Sequence, residues 1–208
     1  MTFDEDFEAR LRTRLSPLTH LDAGGDRTDV NLGADPDQPI TDFKPAAVLA
    51  PIVRRPTGLT MLLTQRANHM PTHAGQVAFP GGRIEPHDDG PIAAALRETR
   101  EEVGLSADFI TPLGGFGAFR TGTQFRIVPV VGLVEPGFTL TPDPREVDVV
   151  FETPVSFLMD AANHELHARE WKGVMREYYA MPWNDRYIWG VTAGMIRALY
   201  QRLYEDDV

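Results

Sequence analysis

Residues 70 to 103 read MPTHAGQVAFPGGRIEPHDDGPIAAALRETREEV, a tight Phe79-Pro80-Gly81-Gly82 turn followed by a helical pattern. Pro91 stands where a first helical residue belongs, and Asp88 and Asp89 lie just ahead of it, near the positive end of the dipole. Gly104 supplies a C-terminal stop, so a helix is predicted from about residue 91 to 103. At about 100° per residue, Ile92, Leu96, Thr99 and Val103 form one stripe, while Glu98, Glu101 and Glu102 gather on another side. One face packs and the other concentrates negative charge. The three consecutive alanines, Ala93 to Ala95, suit close approach to neighbouring backbone or simply good helix propensity.

An acidic helix face is ordinarily a solvated surface laced with ion pairs. Glu101 has Arg97 one turn behind it, but Glu98 and Glu102 have no Lys or Arg three or four positions away and repel each other. A cation from outside would relieve that repulsion. Three close carboxylates are hard oxygen ligands suited to Mg²⁺ or Mn²⁺. The preceding turn has chemistry of its own. Gly81 and Gly82 permit close backbone approach, and with Arg83 adjacent the loop can bring amides and a cation against phosphate oxygens; an ordinary strand-to-loop turn is the alternative.

Gly82 to Leu105, GRIEPHDDGPIAAALRETREEVGL, resembles the Nudix box: a glycine, a spaced acid, Arg-Glu, a short gap, Glu-Glu and Gly. Arg97, Glu98, Glu101, Glu102 and Gly104 match that core. The distance from Gly82 to Arg97 is one residue longer than the commonest pattern, which leaves Asp88 and Asp89 both eligible as the spaced acid. Leu62 to Arg83, LLTQRANHMPTHAGQVAFPGGR, is similar to the signature of the coenzyme A diphosphatase branch. Weaker similarity continues in Val150 to Asp160, Arg176 to Pro182 and Ile188 to Ala193.

The resemblance implies attack of water on a phosphorus of a diphosphate linkage. Glu98 and Glu102 would be the principal metal ligands with Glu101 a third, and the catalytic set would be Arg97, Glu98 and Glu101, Arg97 orienting the carboxylates. Glu98 itself, Glu146 and Glu152 are candidates for the group that takes the proton from water. For coenzyme A the products would be 4′-phosphopantetheine and adenosine 3′,5′-bisphosphate. Arg66 is the first candidate for a phosphate contact, then Arg83, then Arg120, with Gly81 and Gly82 completing the substrate-binding set. Met70 and Phe79 are candidates for the pantetheine path, and Trp189 and Tyr178 for stacking on adenine; for each the alternative is plain packing. Two further readings stand beside this one, a Nudix hydrolase of another nucleoside diphosphate derivative such as ADP-ribose or a dinucleotide, and a catalytically silent Nudix-fold binding module. The second of these sits poorly with three intact glutamates.

Other chemistries have little footing. His69 and His73 are four apart, as helical zinc ligands would be, but Pro71 between them argues against a helix; His164 and His167 lack a third ligand. Neither Ser106 nor Ser156 sits in a nucleophile-elbow context. The absence of cysteine excludes a disulfide framework, a thiolate nucleophile and a Cys-type zinc site, and suits a reducing compartment. The start, MTFDEDFEARLRTRL, lacks a basic segment followed by an apolar core, and no apolar run approaches membrane-spanning length, so a cytoplasmic location is expected. A net charge of −10 argues against nucleic-acid and anionic-membrane partners, leaving a small nucleotide substrate met by locally arranged arginines and metal.

Along the chain, Phe3 to Leu15 reads as a short amphipathic helix and residues 21 to 45 as an extended connection rich in Gly, Asp and Pro, so that residues 1–45 form a peripheral arm ahead of a domain at 46–208. Ala46 to Val53 and Leu59 to Arg66 predict a hairpin around Arg54-Arg55-Pro56-Thr57-Gly58, and Gln76 to Phe79 a third short strand. After the helix come a glycine-rich Ile110 to Phe119, a Val-rich strand at Phe125 to Val134, and Glu146 to Met159, passing from strand into a helical turn near Pro154. Arg176 to Met181 reads as another strand and Val191 to Tyr204 as a closing helix. Strands on both sides of a mid-chain helix predict an α/β fold, an α/β/α sandwich with a mixed sheet; the Nudix resemblance implies the same.

Overall fold

The computed structural model describes residues 2–20, 30–32, 42–171 and 174–205. Two long strands organise it, β2 (Lys44–Arg55) and β8 (Phe125–Val134), which run parallel in register from Lys44 opposite Phe125 to Val53 opposite Val134. Helix α1 is Phe3–Arg14 and β1 is Val30–Leu32. Strand β3 (Gly58–Arg66) closes the predicted hairpin with β2. Its turn ends at Gly58, whose φ of +116° requires glycine. The other strands of this nine-stranded mixed sheet are β4 (Val77–Ala78), β5 (Gly81–Arg83), β6 (Ile110–Gly115), β7 (Phe119–Thr121) and β9 (Val147–Pro154). The expected extended connection at residues 21 to 45 lies mostly outside the described residues; within it, β1 pairs in parallel with β7.

The sheet divides beside β2. β3 pairs with β2 only from Ile52 to Arg55, then continues between β9 and β4. Into the edge of β2 thus released comes β5, pairing Ala46 to Val48 with Arg83 to Gly81. The join is close: Leu49 N–H donates to Pro80 O at 2.9 Å, and a Cβ on Gly81 would stand 2.4 Å from Ala47 O and 2.5 Å from Val48 Cα. Only glycine fits there, and at φ +154°.

Period-two alternation along β2 and β3 sends side chains to two cores. Val48, Ala50, Ile52, Leu59, Met61 and Leu63 enter one with Phe7 and Leu11 of α1, the short α3 (Val155–Leu158) and α4 (Gly190–Tyr204). Ala47, Leu49, Val53 and Leu62 enter the other, beneath α2 (Gly90–Val103). This is the predicted α/β/α sandwich. A separate antiparallel sheet of β10 (Glu165–Trp171), β11 (Val174–Trp183) and β12 (Arg186–Trp189) leads into α4; of its strands, sequence pattern predicts the middle one alone.

Two expectations change. Helix α1 is not peripheral: Phe7 and Leu11 are fully buried, Glu8 accepts two hydrogen bonds from Arg54 at 2.6 and 3.0 Å, and Arg10 donates to Leu203 O at 3.1 Å. On α2 the buried residues are Pro91, Ala94, Ala95, Thr99, Glu102 and Val103, with Ile92 and Leu96 only half-buried. The small alanines, not the larger apolar residues, let the helix settle onto the sheet. Among the described residues no helix is long and apolar enough to cross a membrane.

Candidate active site

Helix α2 begins after Asp89 with Pro91 in its first turn and ends at Gly104, in the left-handed region at φ 74°. These signals set its span, and the divided sheet sets what its side chains meet. Glu102 faces inward. It is buried, with Oε2 accepting the Gly81 N–H at 3.1 Å and Oε1 lying 3.8 Å from Arg66 Nη1. Burial pushes its carboxyl up to about 8, against the lowering effects of the Gly81 amide and Arg66. Glu98, one turn earlier, is half-buried against Gly82, where a Cβ would fall 2.5 Å from its Cδ; burial raises it as well. The charges of Glu98 and Glu146 each raise Glu102, and that of Glu146 raises Glu98. Glu146 sits at the head of β9, its carbonyl accepting the Ala67 N–H at 2.8 Å, one residue beyond Arg66.

Arg97 holds the outer part of the site. Nε and Nη2 donate to Asp88 at 2.9 and 2.8 Å, Nη1 donates to Glu98 at 2.8 Å and Glu101 at 3.0 Å, and Nη2 also reaches Arg83 O at 3.1 Å. The bidentate hydrogen bonds from Arg97 hold the Asp88 carboxyl at about 2 and raise Arg97 in return. The two candidate acids differ in their contacts. Asp88 closes a turn with the Glu85 N–H at 2.8 Å and takes Arg97, whereas Asp89 is the helix N-cap and makes no side-chain cap bond.

The remaining candidate residues fall into different surroundings. Glu98 does have a partner, Arg97 at the adjacent position, because the long guanidinium stem folds along the helix. Nε, Nη1 and Nη2 of Arg97 are all engaged by protein acceptors. Glu101 is exposed and tied to Arg97, outside the buried pair. The Gly81 amide is taken by Glu102 and is not turned toward a phosphate. Glu152 accepts from Arg55 at 2.6 Å and Thr60 at 2.6 Å; burial pushes it up, but those hydrogen bonds outweigh burial and hold it below the ordinary range. Phe79 is core, Arg120 lies on β7 with β8 and β2 between it and β3, and Arg83 is exposed. Arg66 Nε is buried with no hydrogen-bond partner among the described residues.

The donor set bears on the divalent cation that the sequence resemblance implies. Among the described residues no three His, Cys, Asp or Glu side chains converge into a finished cage, so the tight trio of Glu98, Glu101 and Glu102 is not formed. The buried pair nevertheless fits. Two carboxylates one turn apart, both raised by burial and by the charge of Glu146, with the charge of Glu98 adding to the rise at Glu102, are hard oxygen donors of the kind such a cation takes.

A NUDIX domain family model matches residues 43–186. The chain is 37% identical over 158 residues to an uncharacterized Nudix hydrolase, NudL, of Yersinia pestis (strain Pestoides F), covering 76% of this chain and 79% of that protein. Among solved structures it is similar to a C. elegans Ap4A hydrolase binary complex at 19% identity (TM-score 0.47; 53% of this chain, 80% of the other). It is also similar to the Nudix hydrolase RenU of M. smegmatis at 22% identity (TM-score 0.43; 61% and 73%). The match to the family model over most of the chain, across the strands and helix that build the acidic site, makes this protein a member of the Nudix family and an enzyme of the diphosphatase type.

Proposed function

We propose that this protein hydrolyses the diphosphate linkage of coenzyme A, and of acyl derivatives, to 4′-phosphopantetheine and adenosine 3′,5′-bisphosphate, with Mg²⁺ or Mn²⁺ held by Glu98 and Glu102 and Glu101 at the rim. The observation that carries the reading is the meeting of two motifs in one place: Arg66, from the upstream signature, stands 3.8 Å from Glu102 of the box, and Gly81 joins them by its amide. The bound cation would neutralise phosphate charge and lower the pKa of water. Arg66, with an unpartnered Nε, offers donors to the phosphate oxygens. Arg97 is a positioning residue, anchored by Asp88 and donating directly to Glu98 and Glu101. Glu98, raised by burial, and Glu146 are the groups suited to accept the water's proton at a carboxylate oxygen.

Relatives in the family are named for Ap4A and for ADP-ribose binding, which sets the comparison substrates. Assaying kcat/KM with Mg²⁺ and with Mn²⁺ on coenzyme A, an acyl-coenzyme A, ADP-ribose, NADH and diadenosine polyphosphates should rank the coenzyme A thioester and thiol first. A higher kcat/KM on any of the others would replace the substrate assignment and leave the hydrolase class standing.

A further inference from the structure

One face of the β10–β11–β12 sheet carries an aromatic and basic strip that the active site does not account for. Register and alternation put His167, Tyr178, Tyr187 and Trp189 on the same face: His167 pairs with Tyr178, Trp189 with Ala180 and Tyr187 with Pro182. The rings touch in sequence. His167 stacks on Tyr178 at 5.6 Å and 21°, Trp189 meets Tyr178 edge-on at 5.5 Å, and Tyr187 lies 6.3 Å from Trp189. Tyr187 is exposed, and the other three are half-buried. The core needs none of them, since it takes the opposite face of β11 and β12 through Met181, Trp183 and Ile188.

The strip also points away from the acids in a definite order. β12 lies beside β4, the strand that runs into the Pro80-Gly81 turn, and Thr192, three residues after Trp189, donates to Val77 O at 2.9 Å. On the neighbouring residues of the other face, Arg186 donates to Gln65, next to Arg66. Moving outward from β12 come Trp189 and Tyr187, then Tyr178 with His167, and two residues farther along the strands the cross-strand pair Arg169 and Arg176, both exposed. Two strand residues span about 6.6 Å, roughly a nucleoside's width. Glu165, the acid of this face, is taken by His167 at 2.8 Å. In a chain of net charge −10, two arginines side by side beyond an aromatic strip are complementary to an anionic group attached to a flat ring.

We infer that this face is the subsite for the 3′-phosphoadenosine end of coenzyme A, the adenine stacking on the Trp189 ring with Tyr178 meeting it edge-on and the 3′-phosphate lying between Arg169 and Arg176. The inference rests on the coenzyme A reading above and assigns the part of the substrate that dephospho-coenzyme A lacks. Tyr178 and the two arginines are then specificity-determining residues, acting on binding and not on the reacting phosphorus.

The test is steady-state kinetics of the full chain with Mg²⁺ on coenzyme A and dephospho-coenzyme A, using the wild type, an Arg169→Gln/Arg176→Gln double variant, Tyr178→Ala and Tyr178→Phe. The double variant should lose about tenfold of the preference for coenzyme A over dephospho-coenzyme A, through KM. Tyr178→Ala should raise KM for both substrates by about tenfold, and Tyr178→Phe should restore it. An unchanged preference in the double variant overturns the inference, as does a change in oligomeric state by light scattering with preference intact, which would make this face a self-association surface. If coenzyme A is not turned over at all, calorimetric titration with adenosine 3′,5′-bisphosphate separates the two readings. Binding lost in the double variant keeps the subsite and removes the proposed function; equal binding by both proteins, or none by either, overturns the subsite too.

Discussion

Glu102 behaves as it does because of where it is buried more than because of what it touches. Its two protein contacts, an amide and an arginine at 3.8 Å, are too weak to offset desolvation, so its folded carboxyl rises to about 8 from an ordinary 4.5. The sign for stability follows: an acid raised on folding favours the folded state fully below about 4.5, and that contribution is lost as pH rises through about 8. Chemical denaturation of metal-free protein in EDTA should therefore show stability falling across that window by on the order of a few kcal/mol. Glu102→Gln should flatten the fall while lowering metal-dependent kcat by about 10²-fold or more, since loss of one preorganised charge-stabilising group has that scale. An equally steep fall in the Gln variant, or full activity in it, would remove Glu102 from the site. Helical spacing made the acids legible in the sequence. The burial of Glu102 was not, because it depends on the Gly81 amide, 21 residues upstream and brought close only by the fold. The choice between Asp88 and Asp89 was hidden for the same reason: a one-residue difference in turn geometry decides which acid reaches Arg97.

At the scale of elements, the junction of β5 with β2 places the two glycines of the turn in different roles. A side chain at Gly81 would collide with the backbone of Ala47 and Val48, and the φ of +154° is strained for other residues. A side chain at Gly82 would first meet the end of Glu98, which can move. Gly81→Ala should then lower stability by about 2 kcal/mol or more, whereas Gly82→Ala should leave the melting temperature within a few degrees of wild type and reduce kcat by about 10²-fold through displacement of Glu98. Thermal unfolding beside kinetics on both variants checks this, and a Gly82→Ala enzyme of normal kcat would show that the position of Glu98 is unimportant. The hairpin, the Val-rich β8 and the strand-to-helix passage of β9 into α3 were readable because local alternation and turn residues specify them. The parting of β3 from β2 was not readable, since pairing with β4, β5 and β9 is long-range and leaves no periodic mark.

Across the whole molecule, α1 and α4 share one core and α2 has the other, with Glu98 and Glu102 beside the turn that the divided sheet admits. The polar surface of α1 disguised its place: Phe7 and Leu11 are the only residues of that helix fully buried, too few to distinguish a docked helix from a loose arm by pattern alone. The β10–β12 sheet was seen through one strand because its outer face is polar and aromatic, without the alternation that marks a core strand. Sandwich, box and upstream motif together bring Arg66, Gly81, Glu98 and Glu102 into one site, and the central claim is that this site cleaves coenzyme A at its diphosphate. Mass spectrometry of coenzyme A incubated with the purified protein and Mg²⁺ or Mn²⁺ tests that claim most directly. The predicted result is equimolar 4′-phosphopantetheine and adenosine 3′,5′-bisphosphate, abolished by EDTA; coenzyme A recovered intact under conditions where ADP-ribose or a dinucleotide is hydrolysed would contradict it.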